Sequence, residues 1–173
     1  SGVALEVSAI SNPRFPLAES DQKKLVKLYL NDVGLLTNLL YGLNVNAVLQ
    51  DIKSINLGTV YESVIAQELT AHGFKLHYYD NKKKGEVDFL VDDHDNLTVL
   101  PLEIKSGKDY TDHSALTKFL ETPDYGINHA IVFSNERKIF RKKGVTYLPI
   151  YYSMFLHKEH REEPVILPEL EAI

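Results

Sequence analysis

Three charged side chains on two neighbouring apolar segments have the clearest capacity for chemistry in this sequence. Asp88 stands between Val87 and Phe89, and Glu103 and Lys105 stand two residues apart in the next apolar run. Alternate residues of a strand point to the same face, so we expect Glu103 and Lys105 to project together. Charges among apolar strand residues are costly unless they act together. The pattern favours a divalent-metal site that activates water for phosphodiester hydrolysis.

Metal-assisted hydrolysis needs oxygen ligands for the metal and a cation for the developing negative charge. Mg²⁺ and Mn²⁺ prefer carboxylate and carbonyl oxygens, so the predicted ligands are Asp88, Glu103 and the main-chain carbonyl of Ile104. Lys105 is predicted to act on the same water as a base, or to stabilise charge electrostatically. Glu62, upstream of both strands, could bind the metal through water or position Lys105. Its pattern alone favours an ordinary glutamate on a helix surface.

Other charged residues near this set each have an ordinary alternative. Glu86 shares the face of Asp88 and is either a further acid of the site or an exposed strand end. Glu68 is a weaker candidate. Three consecutive lysines precede the Asp88 strand and are predicted to bind nucleic-acid phosphates, the alternative being a solvated turn: Lys82, Lys83 and Lys84. A second basic cluster, residues 137–143, has the same two interpretations.

Composition limits the class of protein. The chain has 173 residues, of which 44% are hydrophobic, enough for one buried core. It has no cysteine, which excludes disulfides, zinc–thiolate sites and cysteine nucleophiles and fits a cytoplasmic protein. No apolar run approaches the roughly 20 residues that span a bilayer, so we expect no membrane association. The formal net charge of −5 is concentrated in acid-rich residues 159–173.

Periodicity and turn residues predict the elements that must position these side chains. Residues 58–72 repeat apolar positions at helical spacing, and Gly73 follows as a stop signal. Residues 74–79, 86–91 and 97–104 are predicted strands of an antiparallel meander. On its apolar side we expect one set of residues: Val87, Phe89, Val91, Leu102 and Ile104.

The remaining segments predict further elements on either side of the meander. Residues 112–121 read as a helix with Asp112 as N-cap, and residues 129–134 as a strand that enters the sheet by a crossover. Residues 145–150 predict another strand and residues 151–157 a last helical turn. Upstream, residues 3–10 and 25–30 predict strands, and residues 35–49 predict short helical pieces.

These elements predict an α/β protein with three parts. Residues 57–158 form a core of helix, three-strand antiparallel meander, helix and strand. Residues 1–56 form a small N-terminal β/α appendage, and residues 159–173 form an acidic C-terminal tail.

The spacing of the motifs resembles a known family. Residues 27–36 (KLYLNDVGLL), Gly58-x-x-x-Glu62, residues 85–89 (GEVDF) and residues 103–107 (EIKSG) are similar to the DUF4143 domain. More broadly, a helix glutamate, a strand aspartate and Glu-x-Lys on the next strand resemble the PD-(D/E)xK nuclease superfamily. Val87 departs from that superfamily's name pattern, which has proline before the aspartate. The likeness runs from about Leu25 onward.

The resemblance implies a restriction-endonuclease-like core, Mg²⁺ or Mn²⁺ as cofactor, and Glu62, Asp88, Glu103 and Lys105 as site residues. It also implies an upstream AAA-type ATPase domain in the same polypeptide. The sequence itself has no G-x-x-x-x-G-K-[ST] phosphate loop and begins with Ser1 rather than Met, so we expect a piece of a longer protein.

We therefore expect metal-dependent hydrolysis of DNA. The alternative is a catalytically inactive module that binds nucleic acid or protein and regulates the ATPase, since nuclease folds also serve in binding. A third hypothesis is a structural domain that forms homo-oligomers through residues 35–49.

Overall fold

An eight-stranded sheet organises the computed structural model, which describes residues 2–42, 46 and 57–158. In chain order its strands are β1 (Ala4–Ile10), β2 (Gln22–Leu30), β3 (His77–Asn81), β4 (Gly85–Asp93), β5 (Thr98–Lys105), β6 (Ala130–Ser134), β7 (Phe140–Lys142) and β8 (Val145–Pro149). Their order across the sheet is β2-β1-β3-β4-β5-β6-β8-β7. The fold is therefore mixed α/β, as expected.

Helices cover both faces of this sheet. The described α-helices are α1 (Val33–Tyr41), α2 (Gly58–Ala71) and α3 (Ser114–Leu120), and short 3-10 helices lie at Leu17–Glu19, Pro123–Tyr125 and Ile150–Phe155. Apolar residues of α2 belong to one core cluster and those of α3 to another. Alternate β6 residues divide between the two clusters, so the clusters lie on opposite faces. None of the helices in the described ranges is long and apolar enough to cross a membrane.

The predicted antiparallel meander is present as β3, β4 and β5. Its register shifts between β3 and β4: His77 pairs with Leu90, and Tyr79 pairs with Val87. β4 thus has one extra residue, a β-bulge that contains Asp88 and Phe89. Bulges re-aim side chains and are common beside active sites.

The bulge corrects one prediction. Phe89, Val91, Leu102 and Ile104 share the α2-side cluster as expected, but Val87 packs in the α3-side cluster. Strict alternation would have placed Val87 with Phe89, and the extra residue in β4 breaks that alternation.

The crossover through α3 is also present, since β6 pairs in parallel with β5. The prediction that Asp112 is the N-cap of this helix was wrong. His113 occupies the position before the helix, and the Asp112 backbone N–H instead donates to the Asp109 carbonyl in a preceding turn. Gly85, with φ of 97°, lets α3 approach the meander: a Cβ there would lie 2.9 Å from the Ala115 Cβ.

The two N-terminal strands continue the same sheet. β1 pairs in parallel with β3 and antiparallel with β2, which forms one edge of the sheet. On β2, Tyr29 is buried in the α2-side cluster, whereas Val26 and Leu28 are exposed. Hydrogen bonding therefore crosses the predicted boundary between residues 1–56 and the core, and the boundary itself stays a prediction.

Several boundaries differ from the predicted ones. β2 begins at Gln22, three residues early, and β3 begins only at His77. β7 was missed. It is three residues long and pairs antiparallel with β8. Most of residues 35–49 beyond α1, and all of the tail at 159–173, lie outside the described residues.

Phe119→Ala should detach α3 from the sheet. Phe119 is fully buried and its ring lies 4.7 Å from the Tyr79 ring, centroid to centroid. We expect a loss of about 3–5 kcal/mol in the free energy of unfolding, measured in urea. The exposed Ile139→Ala variant is the control and should change stability by less than about 0.5 kcal/mol. Similar losses for both variants would contradict this packing.

Candidate functional site

The bulge in β4 brings Asp88 against β5. The backbone N–H of Ile104 donates to Asp88 Oδ2 over 2.7 Å, and Lys105 Nζ lies 3.0 Å from Glu103 Oε1. The first bond fixes the aspartate carboxylate on the neighbouring strand's main chain. The structure thus brings together the aspartate, the glutamate and the lysine singled out in the sequence.

Glu103 is buried with only half of its carboxylate satisfied. The residue is 6% exposed, and Oε2 has no hydrogen-bond partner in the structure. A buried polar atom left unpaired costs free energy, and a bound ion or water can offset that cost. Because the atom is a carboxylate oxygen, a cation is the partner that its chemistry favours.

Negative charge is crowded around this oxygen. Burial raises the pKa of Asp88 well above its usual value, and the Glu103 and Glu62 carboxylates raise it further. Burial also raises the pKa of Glu103, although the adjacent Lys105 ammonium opposes this. Both carboxyl groups therefore hold protons more tightly than free side chains do. A divalent cation would favour the ionised form of both.

Lys105 is held as an ammonium. Burial alone would lower its pKa, but the nearby carboxylates of Glu103, Asp88 and Asp112 together outweigh burial, and the pKa lies above its usual value. Of the two predicted roles, this environment favours electrostatic stabilisation over action as a base.

Glu62 lies close to the pair of strand carboxylates but is held by a different partner. Its negative charge acts on both Asp88 and Glu103, and the Tyr29 hydroxyl donates to Glu62 Oε2 over 3.0 Å. No group of three or more histidine, aspartate or glutamate side chains in the described residues is placed to hold a metal ion. Glu62 is thus not placed as a direct third carboxylate ligand, and its two predicted roles, contact with the metal through water and positioning of Lys105, stay predictions.

Lys27 and Tyr29 of β2 were missed as members of this cluster. Lys27 forms an ion pair with Glu86 and lies 4.9 Å from the centre of the Tyr78 ring. It also lies within the electrostatic field of Asp88 and Glu62. A lysine and a tyrosine hydroxyl two positions apart in the otherwise apolar residues 25–30 were a signal. Only the order β2-β1-β3-β4, however, shows which acids they reach.

Glu86 and Glu68 therefore have ordinary partners. The Glu86 carboxylate is 46% exposed and paired with Lys27. Glu68 lies 3.4 Å from His72 Nε2, one turn along α2.

The three consecutive lysines behave differently from one another. Lys82 and Lys83 are exposed. Lys84 is partly buried, donates to Thr122 Oγ1 over 2.8 Å and lies over the Tyr125 ring. Two of the three are thus available to a phosphate.

The candidate site does not coincide with the cavity at the other end of β5. That cavity, about 490 Å³, lies where β5 begins and is lined by Thr98, Asn128 and Arg141 among others. Lys105 ends the same strand. The buried unpaired oxygen of the charged cluster has a chemical consequence that the size of a cavity lacks.

A family model described as a domain of unknown function, DUF4143, matches residues 57–152. This chain belongs to the DUF4143 family. The match covers more than half of the chain and includes Glu62, Asp88, Glu103 and Lys105, while Lys27 and Tyr29 precede it. Searches of curated proteins and of solved structures returned no match. The DUF4143 resemblance is therefore confirmed, and the family's description assigns no activity.

Asp88→Asn should stabilise the metal-free protein at alkaline pH. The folded-state pKa of Asp88 is raised, so its contribution to stability is present below the unfolded pKa and is lost as pH rises through the folded pKa. Urea unfolding in EDTA at pH 5 and pH 8 should show a smaller loss of stability in the variant than in the parent. The exposed Asp124→Asn variant, with the same charge change, should follow the parent. A variant that loses as much as the parent would contradict the assigned environment.

Proposed function

We propose that this DUF4143 domain is a metal-dependent deoxyribonuclease with a PD-(D/E)xK core, attached to an AAA-type ATPase. The observation that carries the proposal is the unpaired, buried Oε2 of Glu103, whose other oxygen is paired with Lys105 and whose charge raises the pKa of Asp88. The helix glutamate, strand aspartate and Glu-x-Lys strand occur in the order that the superfamily resemblance implies.

Charge balance supports a divalent ion. The cluster contains two ammonium groups, Lys27 and Lys105, against four carboxyl groups: Glu62, Glu86, Asp88 and Glu103. Fully ionised, it has an excess of two negative charges, which one Mg²⁺ or Mn²⁺ would neutralise. Without a cation the excess is relieved by protonation, in agreement with the raised pKa values of Asp88 and Glu103.

The proposed roles follow from position. Asp88, Glu103 and the Ile104 carbonyl would hold the metal, which would supply Lewis acidity and a water of lowered pKa. The Lys105 ammonium would stabilise the charge that develops on the phosphate oxygens during hydrolysis. Glu62 would orient water in the site, because its charge acts on both strand carboxylates while the Tyr29 hydroxyl holds its Oε2.

The proposed substrate is DNA. Lys82 and Lys83 lie in the turn between β3 and β4, a few residues before Asp88, and both are exposed. A phosphodiester chain at the metal could therefore contact them electrostatically.

The regulatory alternative has one observation in its favour. The described residues lack a group of three acidic or histidine side chains placed for a metal, which also fits a binding module that has lost catalysis. Such a module would bind DNA or a protein equally well with and without Asp88. Apolar residues exposed on β2 and α1, such as Leu28 and Leu39, support contact with the ATPase domain or with a second copy.

The nuclease proposal is tested by cleavage of plasmid, single-stranded and branched DNA in Mg²⁺ or Mn²⁺. We expect EDTA to abolish cleavage. Asp88→Ala and Lys105→Ala should each lower the rate by about 10²–10⁴-fold, because the first removes a proposed metal ligand and the second removes the cation that stabilises the phosphate charge. Glu68→Gln, on the same domain but paired with His72, should retain the parent rate. No cleavage by the parent, or full activity in both alanine variants, would reject catalysis by this site.

The exposed lysines make a separate prediction about DNA binding. Replacement of Lys82 and Lys83 by Gln should weaken binding in Ca²⁺ and reduce the slope of log affinity against log salt concentration by about 1.5–2. Lys84→Gln should change the slope less, since Lys84 is held by Thr122. Fluorescence anisotropy at several salt concentrations measures the slope. An unchanged slope in the double variant would show that these lysines face only solvent.

A further inference from the structure

Tyr29 connects the edge strand β2 to the candidate site from inside the protein. It is 4% exposed, and its ring lies 5.4 Å from that of Phe89, the bulge residue next to Asp88. Its hydroxyl emerges from this apolar packing to reach Glu62 Oε2 at 3.0 Å. One side chain therefore contacts both the bulge that positions Asp88 and the carboxylate of the nearby helix.

The hydroxyl can act only as a donor toward Glu62. Burial raises the pKa of Tyr29 far above its usual value, and the negative charge of Glu62 raises it further, so the phenol stays protonated. A glutamate side chain on a helix has three rotatable torsions, and the helix does not choose among its rotamers at the carboxylate end. The hydrogen bond from the Tyr29 hydroxyl, whose ring is fixed by core packing, selects one of these rotamers.

We propose that Tyr29 is a positioning residue that holds Glu62 where it contacts, through water, the metal bound by Asp88 and Glu103. This inference rests on the proposed function, because it presumes the metal. It adds a residue of β2, outside the family match at residues 57–152, to the working parts of the site. The bond occupies one Glu62 oxygen, and the other would contact the water.

Calorimetric titration with Mn²⁺ tests the inference without using cleavage. Tyr29→Phe removes a single oxygen. We expect Mn²⁺ affinity to fall about 10-fold, at the lower end of the roughly 10–100-fold loss that follows removal of an outer-shell partner. Glu62→Gln should weaken binding at least as much. The double variant should be no weaker than Glu62→Gln alone, because Tyr29 acts only through Glu62.

Tyr79→Phe is the matched control. Tyr79 is fully buried in the other core cluster and its hydroxyl bonds to that of Tyr125, 3.1 Å away, so the variant loses a comparable buried hydrogen bond. It should bind Mn²⁺ like the parent. A fall in affinity that comes merely from lower stability would appear in both Tyr→Phe variants.

The outcomes separate this inference from the proposed function. Parent affinity in Tyr29→Phe, or additive losses in the double variant, would overturn the positioning role and leave the metal site standing. A parent protein that binds no Mn²⁺ would overturn both. If Tyr29→Phe does not fold, Glu62→Asp, whose shorter side chain cannot reach the Tyr29 hydroxyl, should show the same weakening, and parent affinity there would reject the role.

Discussion

The hydrogen bond from the Ile104 backbone N–H to Asp88 links the main features of the structure. The donor belongs to β5 and the accepting carboxylate to β4, at the point where β4 contains an extra residue. The bulge allows Asp88 to turn toward β5 while Phe89 stays in the core. The resulting grouping of Asp88 with Glu103 stores unfavourable electrostatic energy, which the surrounding packing must balance. Sites that bind cations commonly carry such a cost, because the ion that relieves it is part of the functional state.

Packing on both faces supports this grouping. α2 and its cluster lie on one face, and α3 closes the other, with Gly85 allowing close approach to the strand that carries Asp88. The acids are thus placed by the rigid centre of the sheet rather than by loops. Sites on strands and helices hold their geometry more closely than sites on loops. The same arrangement explains why apolar neighbours flank each charged residue in the sequence.

Some features of the fold and of the candidate site could be predicted from the sequence, and others could not. The grouping of Asp88, Glu103 and Lys105 was predictable, because charged residues within an apolar, alternating strand are unusual and can be recognised from the local sequence alone. The bulge was not predictable, because it arises from the pairing of β4 with β3. The predicted face of Val87 was wrong for that reason. Asp112 failed as a cap because the helix begins at Ser114, which places His113 rather than Asp112 at the N-cap position. Tyr29 and Lys27 were missed because a strand order with β1 between β2 and β3 cannot be derived from periodicity. The short β7 was missed because its three residues resemble a basic turn.

The alternation within β2 makes its register unusually important. Lys27 and Tyr29 reach the acids, while Val26 and Leu28, which alternate with them, are exposed. A slip of this strand by a single residue against β1 would exchange the two sets, turning Tyr29 out of the core and presenting leucine to Glu62. Deletion or insertion of one residue between β1 and β2 that shifts this pairing would thus harm both folding and the site. A two-residue shift would preserve the inward and outward faces, and so harm folding less, but it would still move Tyr29 away from Glu62.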